Sequence, residues 1–309
     1  MRPRDVALAV AVMAIWGVNF VAIETGLDHF PPLMFNALRF TLAAFPALLL
    51  AGRPQVRWRW IVATGLILGV VKFTLLFAGM AAGMPAGLSS LVLQSQPVFT
   101  VLFAAVLLRE RPRRVQVIGL LLALTGIAVV ATGMTAGLGA FLLIIGAAAA
   151  WGLSNIVTRK AAPPDTLRFM VWVSAVASGP LILLSLLFDG PAADVAALRA
   201  IDTEAVLAVL YVALLSTLGG FAAWGFLLRR YGAATVAPFS MLVPFFGLAS
   251  AALLLNEPIT PIDTLGGALV IGGILLGLTR KPAAEQASTS PPAPSAVRAS
   301  DESPAYQGR

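Results

Sequence analysis

The stretch that decides the fold runs from Gly83 to Arg111 and reads GMPAGLSSLVLQSQPVFTVLFAAVLLRER. It is an apolar segment of helix length that is interrupted by a proline and that ends in a charged Arg-Glu-Arg. The same plan returns 147 positions later, where the counterparts of Pro97, Glu110, Gly119 and Gly126 are Pro244, Glu257, Gly266 and Gly273. This repetition indicates an internal duplication, and interrupted helices in duplicated membrane proteins are typical of transport sites.

The composition predicts an integral membrane protein. Of the 309 residues, 59% are hydrophobic and 11% are charged, whereas soluble domains average about 45–50% apolar and about 25% charged residues. A membrane-spanning helix needs about 20 mostly apolar residues. Ten such runs can be marked, roughly 6–24, 33–51, 61–81, 87–108, 115–132, 139–158, 169–188, 206–228, 234–255 and 263–279. We therefore expect an all-α membrane protein with ten transmembrane helices.

The end of the chain has a different character. Residues 281–309 are rich in Pro, Ala and Ser and show no periodic apolar pattern, so we expect a disordered tail on the cytoplasmic side. The chain contains no cysteine, which excludes disulfides, zinc–thiolate sites and cysteine nucleophiles.

The basic residues fall in alternate loops. Eighteen of the 21 Lys and Arg residues precede the first run or follow the second, fourth, sixth, eighth or tenth, whereas the other loops hold Arg199 alone. Loops rich in Lys and Arg face the cytoplasm. We therefore expect a multi-pass membrane protein with both termini in the cytoplasm. The net charge of +7 is then mainly a topology signal, and no nucleic-acid partner is expected.

The topology also predicts inverted repeats. Five spans per half is an odd number, so the two halves must have opposite orientations in the membrane. The segment from Arg109 to Arg114 carries four arginines and its counterpart at 256–261 carries none, as expected for loops on opposite sides. The predicted first repeat is 1–135, with spans one to five, and the second is 136–280, with spans six to ten. Carriers built in this way bind substrate near mid-membrane, between the halves.

Polar residues of the first four spans lie at a common depth. With a rise of 1.5 Å per residue, Asn19, Arg39, Lys72 and Gln94 come out at about 10–12 Å from the outer boundary. Charges inside a span are rare and usually face a partner or a water-filled cavity. Two cations without a carboxylate at their level favour an anionic group on a substrate. A structural alternative for Arg39 is an outward contact with an acidic residue at position 24 or 28.

Two tryptophans and two prolines complete the predicted site. Trp16 and Trp151 share helix faces with Asn19 and Asn155, where they would form a cavity wall or fill the core. Pro97 and Pro244 remove backbone donors, which predicts a hinge or a substrate-facing break, the alternative being a packed kink. The predicted substrate-binding residues are Trp16, Asn19, Arg39, Lys72, Gln94, Gln96, Trp151, Asn155 and Ser240, with Pro97 and Pro244 as hinges. No catalytic residue, cofactor or metal site is predicted.

Several short phrases resemble a known family. They are Trp16-Gly-Val-Asn19, Pro31-Pro-Leu-Met34, Met84-Pro-Ala-Gly-Leu88, Leu91-Val-Leu-Gln94, Glu110-Arg111, Leu242-Val-Pro244 and Asn256-Glu257. Together they resemble the EamA family of the drug/metabolite transporter superfamily, and within it the bacterial exporters of O-acetylserine and cysteine. The resemblance implies a ten-helix inner-membrane exporter of small metabolites, with a central cavity between two EamA repeats.

The sequence features agree with three functions to different degrees. A secondary transporter that exports an amino acid or a derivative by alternating access agrees with the duplication and the two cations. An exporter of apolar drugs or other metabolites is the alternative, because a cavity lined by Trp and Met would accept apolar cargo. A membrane-embedded transferase is disfavoured because no span holds a carboxylate pair and the only histidine, His29, lies in a loop. The expected partners are a small molecule and the lipid bilayer, whereas proton coupling and oligomeric state stay open.

Overall fold

The computed structural model of the protein describes residues 1–133 and 136–278, and these residues form helices and connecting loops without a strand. Residues Met1–Leu278 make one unit. The predicted disordered tail at 281–309 lies outside the described residues.

Eight helices are long and apolar enough to cross a membrane. They are α1 Pro3–Leu27, α2 Pro32–Ala51, α3 Trp58–Ala81, α4 Ala86–Leu107, α5 Arg114–Gly133, α6 Leu138–Ala161, α7 Thr166–Asp189 and α8 Thr203–Tyr231. Two shorter apolar helices follow, α9 Pro238–Leu254 and α10 Pro261–Gly277. Short helices at Pro191–Arg199 and Ala233–Val236 precede α8 and α9. Each of the ten predicted apolar runs therefore corresponds to one apolar helix.

The loops between these helices alternate between two ends of the bundle. We call the end with the loops at 52–57, 108–113 and 162–165 the basic end, because it carries most of the arginines. The loops at 28–31, 82–85 and 255–260 lie at the other end, which we call the opposite end.

Five of the described helices contain turns that depart from α geometry, and one of them is α7, which is π-helical at its end, Ser185–Asp189. α3 is π-helical at Gly65–Lys72 and α8 at Tyr211–Gly219. α4 and α9 contain 3₁₀ turns at Leu93–Ser95 and Ala237–Leu242, immediately before Pro97 and Pro244. Since proline lacks a backbone N–H, tighter turns and side chains must satisfy the carbonyl groups that precede it. α4 and α9 are therefore irregular next to Pro97 and Pro244, where the sequence predicts an interruption.

Close helix crossings depend on glycine in both halves of the chain. A Cβ added at Gly17 of α1 would lie 2.4 Å from the Phe246 Cβ atom of α9. One added at Gly152 of α6 would lie 2.7 Å from the Phe99 Cβ atom of α4. Small residues let helix backbones approach each other in membranes. These two crossings therefore fix α1 against α9 and α6 against α4.

A glycine seam joins α5 and α10. An added Cβ would lie 2.3 Å from the Gly273 carbonyl oxygen at Gly119, and 2.6 Å from the Gly266 carbonyl oxygen at Gly126. Both helices therefore touch through their backbones, as their small-residue stripes predict.

Candidate functional site

A central cavity lies at the level of the irregular turns. It encloses about 630 Å³ of empty space, its open mouth included. Its walls come from α1, α2, α3, α4, α6, α8 and α9. The lining residues that carry polar groups are Trp16, Asn19, Arg39, Lys72, Gln94, Trp151 and Ser216, and apolar lining residues include Phe20, Leu68, Phe73, Leu76, Leu93, Phe221 and Val243.

Two cations are buried in the wall of this cavity. Arg39 of α2 is 3% exposed and Lys72, at the end of the π-helical segment of α3, is 4% exposed. The Arg39 Nε atom donates to the Thr217 hydroxyl at 3.1 Å. In residues 1–133 and 136–278 neither cation forms a salt bridge. The structure thus places no carboxylate against Arg39, although the sequence left such a contact open as an alternative.

One aromatic ring lies against both cations. The Phe73 ring centroid is 4.0 Å from the Arg39 Cζ atom and 3.4 Å from the Lys72 Nζ atom. The Trp151 ring is 4.9 Å from the same Nζ atom. Phe73 packs edge-on against Phe40, with ring centroids 5.4 Å apart. Aromatic faces attract cations but do not neutralise them, so the cavity wall keeps an excess of positive charge.

Some polar atoms at the cavity have unused hydrogen-bonding capacity. The Arg39 Nη1 atom and the Asn19 Oδ1 atom are buried and have no hydrogen-bond partner within residues 1–133 and 136–278. The first is a donor and the second is an acceptor. A buried polar atom without a partner costs free energy. A ligand with an acceptor for Arg39 and a donor for Asn19 would therefore be stabilised here.

Gln94 lies where α4 crosses α9. Its Nε2 atom donates to the Ser240 carbonyl oxygen at 3.2 Å. That carbonyl belongs to the turn that Pro244 interrupts, and it also accepts the backbone N–H of Val243. The side chain of Gln94 therefore adds a hydrogen bond at a carbonyl whose i+4 donor is removed by Pro244.

The predicted site residues separate into two groups in the structure. Trp16, Asn19, Arg39, Lys72, Gln94 and Trp151 all line the cavity. Gln96 and Asn155 do not line it and instead form a second polar cluster, in which the Gln96 Oε1 atom accepts from the Asn155 Nδ2 atom at 2.7 Å. Thr100 joins this cluster, since its hydroxyl lies 3.1 Å from both side chains. Ser240 is not among the lining residues either, and its carbonyl oxygen accepts the hydrogen bond from Gln94.

Sequence reasoning missed Phe73, Thr217 and Ser216. Phe73 follows Lys72 directly, so an aromatic neighbour of a buried cation was an available signal. Thr217 and Ser216 form a polar pair inside an otherwise apolar span, and the Ser216 carbonyl accepts the Trp16 indole N–H at 3.0 Å. The π-helical geometry that turns this pair towards the cavity has no comparable sequence signal.

Outside the spans, one histidine has a shifted pKa. The His29 Nδ1 atom lies 2.8 Å from the Thr25 carbonyl oxygen, and its Nε2 atom lies 3.3 Å from the Asp202 carboxylate. The hydrogen bond to Thr25 and the negative charge of Asp202 raise the pKa of His29. The backbone N–H of Ala205 and the imidazole lower the pKa of Asp202. The described residues contain no group of three or more His, Asp or Glu side chains that could hold a metal ion.

Comparison with known proteins gives consistent matches over most of the chain. The model of the EamA-like transporter family matches residues 4–132 and again residues 138–279. A "probable amino-acid metabolite efflux pump" of Escherichia coli is 38% identical over 286 residues, covering 90% of this chain and 96% of the relative. A "probable terminal-alkyne amino-acid exporter" of Streptantibioticus cattleyicolor is 30% identical over 274 residues, covering 86% of this chain and 91% of the relative.

A solved crystal structure shows the same fold. It is 20% identical in sequence, has a TM-score of 0.62, and the match covers 89% of this chain and 96% of that one. At this identity the likeness concerns the fold alone.

Proposed function

Because the chain belongs to the EamA-like transporter family, we propose that it is an inner-membrane secondary transporter that exports a small amino acid or amino-acid derivative. The relatives named above, an efflux pump for amino-acid metabolites and an amino-acid exporter, support this class of cargo. The substrate would bind in the central cavity and leave by alternating access.

The observation that carries the proposal is the pair of buried cations. Arg39 and Lys72 are almost fully buried, and no salt bridge offsets their charge in the described residues. An isolated buried charge is costly, and an opposite charge with good geometry offsets much of that cost. A substrate carboxylate between the two cations would supply that charge and would occupy the free Arg39 Nη1 donor.

The same cavity suits the other half of an amino acid. The free acceptor of Asn19 can take a hydrogen bond from a substrate ammonium group. Trp16 and Trp151, with the apolar lining residues, would cover the side chain. The predicted binding residues Gln96, Asn155 and Ser240 would act one layer away, through the second polar cluster and the α4–α9 crossing.

The proposed architecture is two inverted repeats of five helices, 1–135 and 136–280. Paired details at equivalent positions support it. The Gly17–Phe246 and Gly152–Phe99 crossings correspond, and so do the π-helical segments of α3 and α8. Pro97 and Pro244 would be the hinges of the helices that cross at the cavity. We place both termini in the cytoplasm because the basic loops share one end of the bundle.

An exporter of apolar drugs is the second candidate. The many aromatic and aliphatic lining residues favour it, whereas two buried cations disfavour it. No acidic side chain is among the lining residues of the cavity in the described chain. Since proton-driven carriers usually titrate a carboxylate in their pathway, we propose facilitated or weakly coupled export.

The test measures uptake into inside-out vesicles. The substrates are labelled cysteine and O-acetylserine, each compared with its methyl ester, which lacks the carboxylate. We expect Arg39→Ala and Lys72→Ala to raise the KM for the acids by about tenfold or more, which corresponds to about 1.4 kcal/mol, and to leave the esters nearly unaffected. Arg59→Ala, at an exposed arginine, is the matched control. Unchanged KM values for the acids in both folded variants would exclude the proposed carboxylate site.

A further inference from the structure

α4 and α9 end in the same way. The residues that follow them, Arg109 and Asn256, both adopt left-handed conformations, with φ of 55° and 56°. The next residues are Glu110 and Glu257, whose backbone N–H groups return to carbonyl oxygens of the preceding helix at 3.3 and 3.2 Å. Non-glycine residues rarely adopt positive φ. The two glutamates are therefore held by equivalent local backbones at equivalent positions, 147 residues apart.

Their carboxylates have different partners. The Glu257 Oε1 atom accepts the Ala86 N–H at 2.7 Å, and its Oε2 atom accepts the Gly87 N–H at 2.9 Å. Glu257 therefore clamps the beginning of α4 at the opposite end of the bundle. Glu110, at the basic end, pairs instead with Arg159 of α6, at 2.6 Å between Oε1 and Nη2. Both side chains of that ion pair are about half exposed.

The packing of α4 on α9 also differs between the two ends of the bundle. At the opposite end the helices are in close contact, since a Cβ added at Gly247 would lie 2.3 Å from the Ser90 hydroxyl oxygen. They cross at the hydrogen bond between Gln94 and Ser240. Beyond the crossing, Gln96–Leu107 packs on α6, and among the closely packed pairs of elements in the described residues none joins it to Ala233–Val236 or Ala237–Leu242. The two helices are thus together at one end and apart at the other.

We propose that Glu257 and Glu110 are the paired gate residues of the transport cycle. In this structure Glu257 closes the opposite end. In the alternative state the α4–α9 contact forms at the basic end, and Glu110 leaves Arg159 to take the part that Glu257 plays here. Its new partners are the backbone N–H groups at Ala233 and Ala234, the positions equivalent to Ala86 and Gly87. This inference rests on the alternating access of the proposed function.

The strengths of the two kinds of contact agree with such an exchange. A carboxylate that accepts two backbone N–H groups makes charge-assisted hydrogen bonds, which are stronger than neutral ones. A half-exposed ion pair contributes little because water and salt screen it. Glu110 can therefore leave Arg159 at small cost, whereas Glu257 must give up a stronger contact when its end opens.

The test uses a single introduced cysteine, because the chain has none. Ser90→Cys places a near-isosteric thiol between α4 and α9, at a side chain that is fully buried in this structure. The probe is a membrane-impermeant maleimide applied from the opposite-end side, and the readout is the labelling rate. Glu257→Ala should raise the rate by about tenfold, and Glu257→Gln, which keeps one acceptor oxygen, should raise it less. Asp263→Ala, which removes a carboxylate that bonds Thr260 at the same end, should leave it unchanged.

The decisive comparison is between the two partners of one ion pair. Arg159→Ala removes only the contact made in this state and should raise the labelling rate. Glu110→Ala also removes the stronger contact of the alternative state and should lower it. A merely structural ion pair would give the same change in both variants, and that result would overturn the proposal. Equal labelling in Glu257→Ala and the parent protein would overturn it as well. Because labelling needs no substrate, these outcomes are independent of the carboxylate test on Arg39 and Lys72.

Discussion

α1 and α8 are joined at both of their ends, whereas α4 and α9 are joined at one. At the basic end the Tyr231 hydroxyl of α8 donates to the Asp5 carboxylate of α1 at 2.5 Å. At the opposite end His29, just beyond α1, contacts Asp202, the N-cap residue of α8. In the described residues, α4 and α9 share the Glu257 clamp and the Gly247–Ser90 packing at the opposite end, and the hydrogen bond between Gln94 and Ser240 at their crossing. The contacts therefore hold α1 and α8 together at both ends, whereas α4 and α9 can separate at the basic end.

In the proposed transport cycle, this difference would let the cavity change its exposure without losing its shape. Trp16 and Asn19 of α1, and Ser216 of α8, belong to the pair with fixed ends. Gln94 belongs to α4, whose second half is free of α9. The proposed alternating access would therefore move one wall of the cavity against another wall that stays in place. Substitutions that remove contacts between α1 and α8 should reduce the stability of the folded protein. Substitutions that remove contacts between α4 and α9 should change the populations of the two proposed transport states.

The largest effect is expected where the free half of α4 rests on α6. A valine at Gly152 would place its Cβ 2.7 Å from the Phe99 Cβ atom and 2.8 Å from the backbone nitrogen of Thr100. Overpacking against a backbone cannot be relieved by a rotamer change, so Gly152→Val should lower stability by roughly 2–3 kcal/mol. Thermal unfolding in detergent measures this loss.

Gly139→Val in the same helix is the matched control, because nothing lies within 4 Å of its added Cβ. Equal melting temperatures for the two variants would show that the α4–α6 crossing is not tightly packed.

A smaller loss of stability is expected when the contact between α1 and α8 at the basic end is removed. Tyr231→Phe removes the hydroxyl that bonds the Asp5 carboxylate, which is 5% exposed. Asp5 would keep only the more distant Arg230, at 3.7 Å. Loss of a hydrogen bond to a charged group should lower the melting temperature, by less than Gly152→Val does. Thermal unfolding at neutral pH measures the change, with Tyr211→Phe as a control for loss of a hydroxyl elsewhere in α8.

Tyr211 is the suitable comparison because its hydroxyl donates to the neutral Ile15 carbonyl oxygen rather than to a charge. If Tyr231→Phe lowers the melting temperature no more than Tyr211→Phe does, the hydrogen bond between Tyr231 and Asp5 contributes no more stability than a hydrogen bond to a neutral carbonyl.

The smallest effect is expected at the opposite end of the same pair. Both contacts of His29 are to acceptors, the Thr25 carbonyl and the Asp202 carboxylate, so the doubly protonated imidazole satisfies both. A pKa raised on folding gives stability that is fully present below the unfolded pKa of about 6.5 and is lost as the pH rises through the folded pKa.

The melting temperature of the parent protein, relative to His29→Gln, should therefore be higher at pH 5.5 than at pH 8.5, by roughly 1 °C. A melting-temperature difference that is larger at alkaline pH would mean that folding does not favour the protonated imidazole. The contact between His29 and Asp202 would then not hold α1 and α8 together at the opposite end.

The sequence predicted the helices and their common polar level well. Apolar runs of span length are decided by hydropathy, and a fixed rise per residue placed Asn19, Arg39, Lys72 and Gln94 at one depth. All four line the same cavity. Helix rotation was harder to predict, since a 3₁₀ turn before Pro97 decides that Gln94 and not Gln96 reaches the cavity. The different partners of Glu110 and Glu257 could not be predicted, because local sequence places both alike and only the packing of α4 on α9 distinguishes them.

The glycine seam between α5 and α10 has a consequence for biosynthesis. Gly126 leaves the ribosome about 140 residues before its partner Gly266, which at roughly 5–20 residues per second means a delay of about 7–28 s. During that time α5 has no matching surface and must lie against lipid or the insertion machinery. The later synthesis of α10 therefore completes the contact surface of α5, and a ribosome that stalls before α10 leaves an unfinished protein with an exposed backbone groove.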